Sequence, residues 1–311
     1  YVIIAFCHCL QAQDMGRIRL GISTYSTPEL VRSGFYPPEV RSAARRLSYF
    51  ASRFSVTEID SSYHFFPTGH NIDLWLKNTP AGFAFNVKAF SLLTGHPTVP
   101  ESLPKSIRDK YGSRIQTKGN VYPHHLPPEA INELWDVFGI VVDRFESAGK
   151  LGAVLFQFPP WFHPEPGNYD YIAACRDRLL QHRVAVEFRV GSWLERHNEE
   201  TLDFLRKRDM ALVCVDEPQG FTSSVPPLAE ATSSLAIVRF HGRNVETWEQ
   251  KRVPADEKFN YLYNEDELKE WLPRIRRLAE TAEVHVIFKN KHADYPVRNV
   301  MQMQTLLGLE K

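Results

Sequence analysis

Apolar and polar positions alternate along this chain in short runs, and the runs recur. They are IRLGIS (18–23), VTEIDS (56–61), FAFNVKA (83–89), GAVLFQF (152–158), VAVEFR (184–189), ALVCVD (211–216), AIVRFHG (236–242) and VHVIFKN (284–290). Each is rich in β-branched and aromatic residues, the side chains that suit a pleated, half-buried surface. Successive side chains of a strand point to opposite faces, so each run has two. In FAFNVK, Phe83, Phe85 and Val87 share one face, and Ala84, Asn86 and Lys88 the other. In AIVRFHG, Ala236, Val238 and Phe240 oppose Ile237, Arg239 and His241.

Between the runs the apolar period changes to that of a helix. PPEVRSAARRLSYFASRF (37–54) opens on proline, a residue favoured in first helical turns. PPEAINELWDVFGIVVDRFESAGK (127–150) carries apolar residues at helical spacing and ends in Gly-Lys. NEETLDFLRKRD (198–209) and NEDELKEWLPRIRRLAETA (264–282) are acidic early and basic late, as the helix dipole prefers. Pro273 is expected to kink the latter or mark its early turn.

Eight strands alternating with helices predict parallel βαβ units, and eight such units close into a (β/α)8 TIM-like barrel. An open doubly wound sheet is the alternative, weakened because no glycine-rich phosphate loop follows the first run. No linker divides the chain, so residues 18–311 are expected to form a single barrel domain. Two long connections, 90–126 after strand three and 242–264 after strand seven, fall on the strand-to-helix side, where such barrels keep their functional loops.

Composition narrows the partners. The 311 residues are 43% hydrophobic and 24% charged, which suits a packed globular protein. Lys plus Arg and Asp plus Glu both number 37, so net charge gives no general pull toward nucleic acid or a membrane surface. Lys105, Arg108, Lys110, Arg114 and Lys118 make the first long loop locally basic, read first as a solvated face and second as an anion-attracting lid. Cys7, Cys9, Cys175 and Cys214 show neither a disulfide framework nor a zinc set, which points to a reducing, cytoplasmic setting. The apolar start, YVIIAFCHCL, is too short to span a bilayer and lacks a signal peptide's basic flank. Residues 1–17 are expected to be a peripheral extension.

The candidate chemistry lies at the ends of the runs, where polar residues interrupt apolar strands. In a parallel barrel all these ends meet on one rim. A charge is costly to bury unless it is paired or used. We therefore expect Glu58, Lys88, Glu187, Asp216, Arg239 and Asn290 around one cavity. Glu187 is the expected general acid/base, with Glu58 or Asp216 as its carboxylate partner and Lys88 as a further catalytic group. Arg189, Arg239, His241, Asn290, Gln157, Tyr25 and Trp193 are the expected substrate contacts. Several narrower readings accompany these. Glu187 and Arg189 form a structural pair; Glu58 and Glu187 are a glycosidase-type carboxylate pair; Lys88 forms a Schiff base; Asp60 braces the SSY turn. No cofactor is expected. The alternative is a divalent metal on Glu58, Glu187, Asp216 and His241, opposed by the cations expected on the same rim. His96, His124 and His125 are read as solvated loop residues, and the tryptophans other than Trp193 as packing.

At this point the chain resembles a known family. LGISTY, FYP (35–37), TEIDSSYHFFP (57–67), FAFNVKA, LFQFPP (155–160), AVEFRVGSW (185–193), VRFHGRN (238–244) and FKNKHADYPVRN (288–299) occur in order over roughly residues 18–305. They resemble the YecE-like family, domain of unknown function 72. The resemblance implies a TIM-barrel-like fold and supplies no reaction. The chain departs from the family pattern at Thr24 and at Lys289.

The sequence therefore points to an enzyme acting on a small anionic or sugar-like substrate by carboxylate acid/base chemistry with Arg/Lys anion binding. Metal-dependent phosphodiester hydrolysis is one alternative. A non-catalytic protein that binds nucleic acid or a metabolite is another, with nucleic acid the less favoured partner. No membrane partner is expected.

Overall fold

Each predicted run is a strand because both of its faces find cover. One face packs under helices and the other fills a barrel. The computed structural model describes residues 18–115 and 117–309, so the extension expected over 1–17 lies outside the described residues. The strands are β1 (Ile18–Ile22), β2 (Val56–Ile59), β3 (Ala84–Lys88), β4 (Leu151–Gln157), β5 (Val184–Glu187), β6 (Met210–Asp216), β7 (Leu235–Phe240) and β8 (Glu283–Phe288). They pair in chain order, all parallel, and β8 returns to β1 to close the barrel.

The surrounding helices are α1 (Pro28–Arg32), α2 (Ala43–Ala51), α3 (Gly69–Lys77), α4 (Lys105–Tyr111), α5 (Pro128–Ser147), α6 (Pro166–Asp177), α7 (Asn198–Lys207), α8 (Ala255–Lys258), α9 (Glu265–Ala279) and α10 (Tyr295–Leu307). Helix α2 is shorter than the 37–54 pattern. Ser42 caps it, its hydroxyl accepting from the Arg45 amide at 3.2 Å, and the prolines lie in a separate turn. Pro273 sits inside α9 without ending it, because Leu268, Trp271, Ile275 and Leu278 hold that helix on the barrel. Among the described residues no α-helix joins β6 to β7. Helix α9 covers that loop instead, where Arg274 and Arg277 donate to the Pro227 and Ala229 carbonyls at 3.2 and 2.6 Å.

Register decides which side chains look inward. Arg239 pairs with Val215 on one side and Ile287 on the other, and Phe240 with Asp216 and Phe288. The Arg239 row faces the barrel interior. The Phe240 row faces the helices, where Phe240 stacks on Phe288 at 4.5 Å and meets Trp271 edge-on. Gly21 lets β1 and β2 close, since a Cβ there would lie 1.8 Å from the Val56 carbonyl oxygen. At the N-terminal end Glu283 plugs the barrel. It accepts from Arg19, from Arg183 at 2.7 Å and from His285 at 3.2 Å.

The first long loop is built rather than loose. An antiparallel bridge joins Thr98 to Val121, and α4 docks on α5. Three of its five basic residues are ion-paired on the surface, Lys105 with Asp109, Lys110 with Glu133 and Arg114 with Glu129. Cys175 and Cys214 are buried free thiols, pushed by burial up to about 12. No described helix is long and apolar enough to cross a membrane.

Candidate active site at the barrel mouth

The inner faces of β2, β3, β4, β5 and β7 end in Glu58, Lys88, Gln157, Glu187 and Arg239, and these converge. Arg239, fully buried, spans two carboxylates. Its Nη2 donates to Glu58 Oε2 at 2.8 Å and its Nη1 to Glu187 Oε2. The Glu58–Glu187 pair expected to flank a scissile bond is thus bridged by a guanidinium. The other Glu187 oxygen accepts from Gln157 at 2.9 Å and Arg189 at 3.3 Å, and lies 3.2 Å from His241 Nε2. Burial would raise this carboxyl, but Arg239, His241 and Arg189 outweigh it and hold it well below the usual range. Glu187 is therefore an ionised anchor with both oxygens occupied, 0% exposed, and lies beneath the solvated mouth rather than in it. Burial also keeps the His241 imidazole neutral, against the pull of Glu187.

Three expected site residues lie on the other side of the barrel wall, and a fourth, Tyr25, follows β1 into the helix layer. Asp216 shares the Phe240 row. Its carboxylate accepts from Trp271 Nε1 and Tyr263 Oη, both at 2.7 Å, and from Arg243. It fastens α9 and the β7 loop, so it is neither Glu187's partner nor one of four converging metal ligands. Asn290 likewise faces outward, donating to Asn299 Oδ1 of α10 at 2.9 Å and the Tyr261 carbonyl at 2.8 Å. Trp193 is fully buried between Phe188 and Phe162, and its indole nitrogen donates to the Phe162 carbonyl. Tyr25 turns toward Phe50 of α2 and Trp75 of α3. Among the described residues, no group of three or more His, Cys, Asp or Glu side chains is arranged to hold a metal.

The residues that take those places were one step away in the chain. Glu217 follows Asp216 and faces inward with Val213 and Val215. It is buried, 2.9 Å from Arg189 Nη1, and accepts the Val225 amide at 2.9 Å. Burial pushes its carboxyl up to about 7, against the pull of Arg189 and the Val225 amide. Lys289 precedes Asn290 and faces inward with Ile287. It is 7% exposed and has no hydrogen bond or ion pair through its ammonium to a described residue. Burial, with Arg239 and Lys88 nearby, holds it well below the usual lysine range. Alternation across the last strand residue could have found both.

Asp60 gathers the ammonium groups. Its carboxylate lies 2.6 Å from Lys291 Nζ and 3.5 Å from Lys88 Nζ, with Lys289 also acting on it. Burial would raise Asp60, but these three lysines hold it well below its usual value. It starts the 3-10 turn Asp60–Tyr63 without capping it, and the Ser62 hydroxyl docks that turn 2.6 Å from the Lys88 carbonyl. The ammonium of Lys88 stands 4.2 Å over the Tyr63 ring, and burial lowers its pKa against the pull of Asp60. The Arg189 guanidinium lies 4.8 Å over Trp248, so Trp248, not Trp193, is the indole that meets Arg189.

The comparisons agree with this frame. The model of the family described as "Protein of unknown function DUF72" matches residues 19–311. The UPF0759 protein YunF of Bacillus subtilis (strain 168) is 31% identical over 281 residues, covering 88% of this chain and 90% of that protein. A crystal structure of a DUF72 family protein from Enterococcus faecalis V583 superposes with a TM-score of 0.75 at 26% identity, covering 94% of this chain and 96% of that one. A DUF72 family protein from Thermotoga maritima MSB8 gives 0.70 at 26% identity over 94% and 99%. With the barrel closed in the expected order and the family model spanning nearly all of it, the chain belongs to the DUF72 family.

Proposed function

We propose that this protein is an enzyme that binds a small anionic substrate at the barrel mouth and transfers a proton through Glu217. The observation that carries the reading is the Glu217 carboxyl, buried 2.9 Å from Arg189 Nη1, where burial pushes it up to about 7. A general acid/base works best when its pKa lies near the working pH. Strongly shifted buried groups in a cleft cluster at functional sites.

The division of labour follows from charge. Glu58 and Glu187 hold Arg239 rigid. Lys88, Lys289 and Lys291 stand near one carboxylate, Asp60, which pairs with Lys88 and Lys291, and the shortfall of negative charge favours an anionic ligand. Arg189, bound to Glu217, stabilises charge that develops as the proton moves. His241 presents a neutral imidazole whose buried Nδ1 has no hydrogen-bond partner.

Sulfate tests this, because it does not itself titrate near neutrality. Calorimetric titration at pH 7 is run in buffers of different ionisation enthalpy. The expected result is saturable binding with proton uptake, since an anion beside Glu217 raises its carboxyl further. Glu217→Gln is expected to keep binding and lose the uptake. Absence of saturable binding, or equal proton uptake in the variant, would reject the proposal.

A further inference from the structure

Beside the lysines the mouth carries a feature that an anion site alone does not need. Trp161, in the loop after β4, is 56% exposed. Its ring meets His96 at 5.9 Å, His96 meets the edge of Tyr63 at 5.3 Å, and Tyr63 lies under the Lys88 ammonium at 4.2 Å. These contacts make one continuous wall from the cation cluster to an open indole face. It is assembled from three loops, after β2, β3 and β4.

His96 fixes the polarity of that wall. Its ring is held neutral down to about 3, first by burial and then by Lys88 and Arg189. The Thr94 hydroxyl lies 3.1 Å from the Ser91 carbonyl and 2.8 Å from His96 Nδ1. With the hydroxyl donating to the carbonyl, Nδ1 carries the ring proton and Nε2 keeps a lone pair. The wall thus offers an apolar aromatic face, a neutral acceptor suited to a hydroxyl donor, and ammonium groups at one end.

Resting on the anion-binding reading above, we infer that the substrate is a sugar bearing a phosphate or carboxylate. Its C–H face would lie on Trp161, a hydroxyl would donate to His96, and its charge would meet Lys88 and Lys289. A sugar ring presents polarised C–H bonds on one face, and these are drawn to the negative face of an indole. Its hydroxyls need acceptors when they lose water, and a neutral imidazole supplies one without the pH dependence of a charged group.

Calorimetric titration with inorganic phosphate, glucose 6-phosphate and free glucose separates the two readings. The expected order is glucose 6-phosphate at least about tenfold tighter than inorganic phosphate, with free glucose weakest. Trp161→Ala and His96→Phe should each remove most of that tenfold while leaving inorganic phosphate binding unchanged. Trp161 is exposed, so the first variant should retain the wild-type denaturation midpoint. If inorganic phosphate binds and the sugar phosphate binds no tighter, the sugar inference fails while the anion site stands. An advantage that survives in both variants overturns the assignment of the wall. If neither phosphate binds, the anion reading fails and this inference with it.

Discussion

Asp216 and Glu217, neighbours in the chain, face opposite sides of the barrel wall. Asp216 receives Trp271, Tyr263 and Arg243 in the helix layer. Glu217 receives Arg189 inside the mouth. Two adjacent carboxylates therefore have separable roles. Asp216→Ala strands an indole N–H and a phenol in a buried layer, where each unpaired donor costs about 1–3 kcal/mol. We expect a loss of about 3 kcal/mol or more in urea unfolding, with sulfate affinity of the folded protein unchanged. A variant of normal stability that no longer binds sulfate would return Asp216 to the site.

Glu217→Gln should act through pH. The folded-state carboxyl titrates at about 7, above its ordinary value of 4.5. A raised carboxyl contributes stability that is full below the unfolded pKa and lost as pH rises through the folded one. The wild type should therefore lose up to about 3 kcal/mol between pH 4.5 and 7 that the glutamine variant does not lose. Denaturant midpoints of both proteins across that window measure the difference. Parallel curves would place the Glu217 titration elsewhere.

The fold was legible because a strand's period of two and a helix's of 3.6 are written in the side chains themselves. All eight strands fall within two residues of the runs that predicted them. The inner-face residues Glu58, Lys88, Gln157, Glu187 and Arg239 were legible for the same reason, and Arg189 and His241 join them. Asp216 and Asn290 were misplaced because the final polar residue of a run was read as inward-facing without following the alternation, which assigns them outward and Glu217 and Lys289 inward. His96, Trp161 and Trp248 were not legible as a site. Loops carry them, and loop geometry has no period.

Arg239 should be the costliest single residue of the mouth to remove. Arg239→Met leaves Glu58 and Glu187 buried without their shared cation. Breaking a buried pair from one side costs about 3–5 kcal/mol, and here two carboxylates lose a partner. Glu187→Gln should also lower the midpoint, since Glu187 is fully buried and accepts from both Arg239 and Arg189. Replacing Glu58, Glu187 and Arg239 together by apolar residues should recover much of the loss. A triple variant no better than Arg239→Met would show that the network does more than balance its own charge.

Lys289→Met should separate function from stability in the opposite direction. Its ammonium is nearly buried, ion-paired to no described residue, and close to Lys88 and Arg239. A lysine held below its ordinary pKa opposes folding at neutral pH, and the penalty fades as pH rises toward the ordinary lysine range, where the unfolded chain also loses the proton. Methionine keeps most of the length and removes the charge. We expect a gain of about 1 kcal/mol at pH 7, shrinking toward pH 10, as when a functional group is relieved of unfavourable burial. Sulfate affinity should fall about tenfold or more in the same protein. A scaffold lysine would give the reverse, with lower stability and unchanged binding. The combination of higher midpoint and weaker anion binding is what an ammonium kept for a ligand's charge, rather than for the barrel, has to produce.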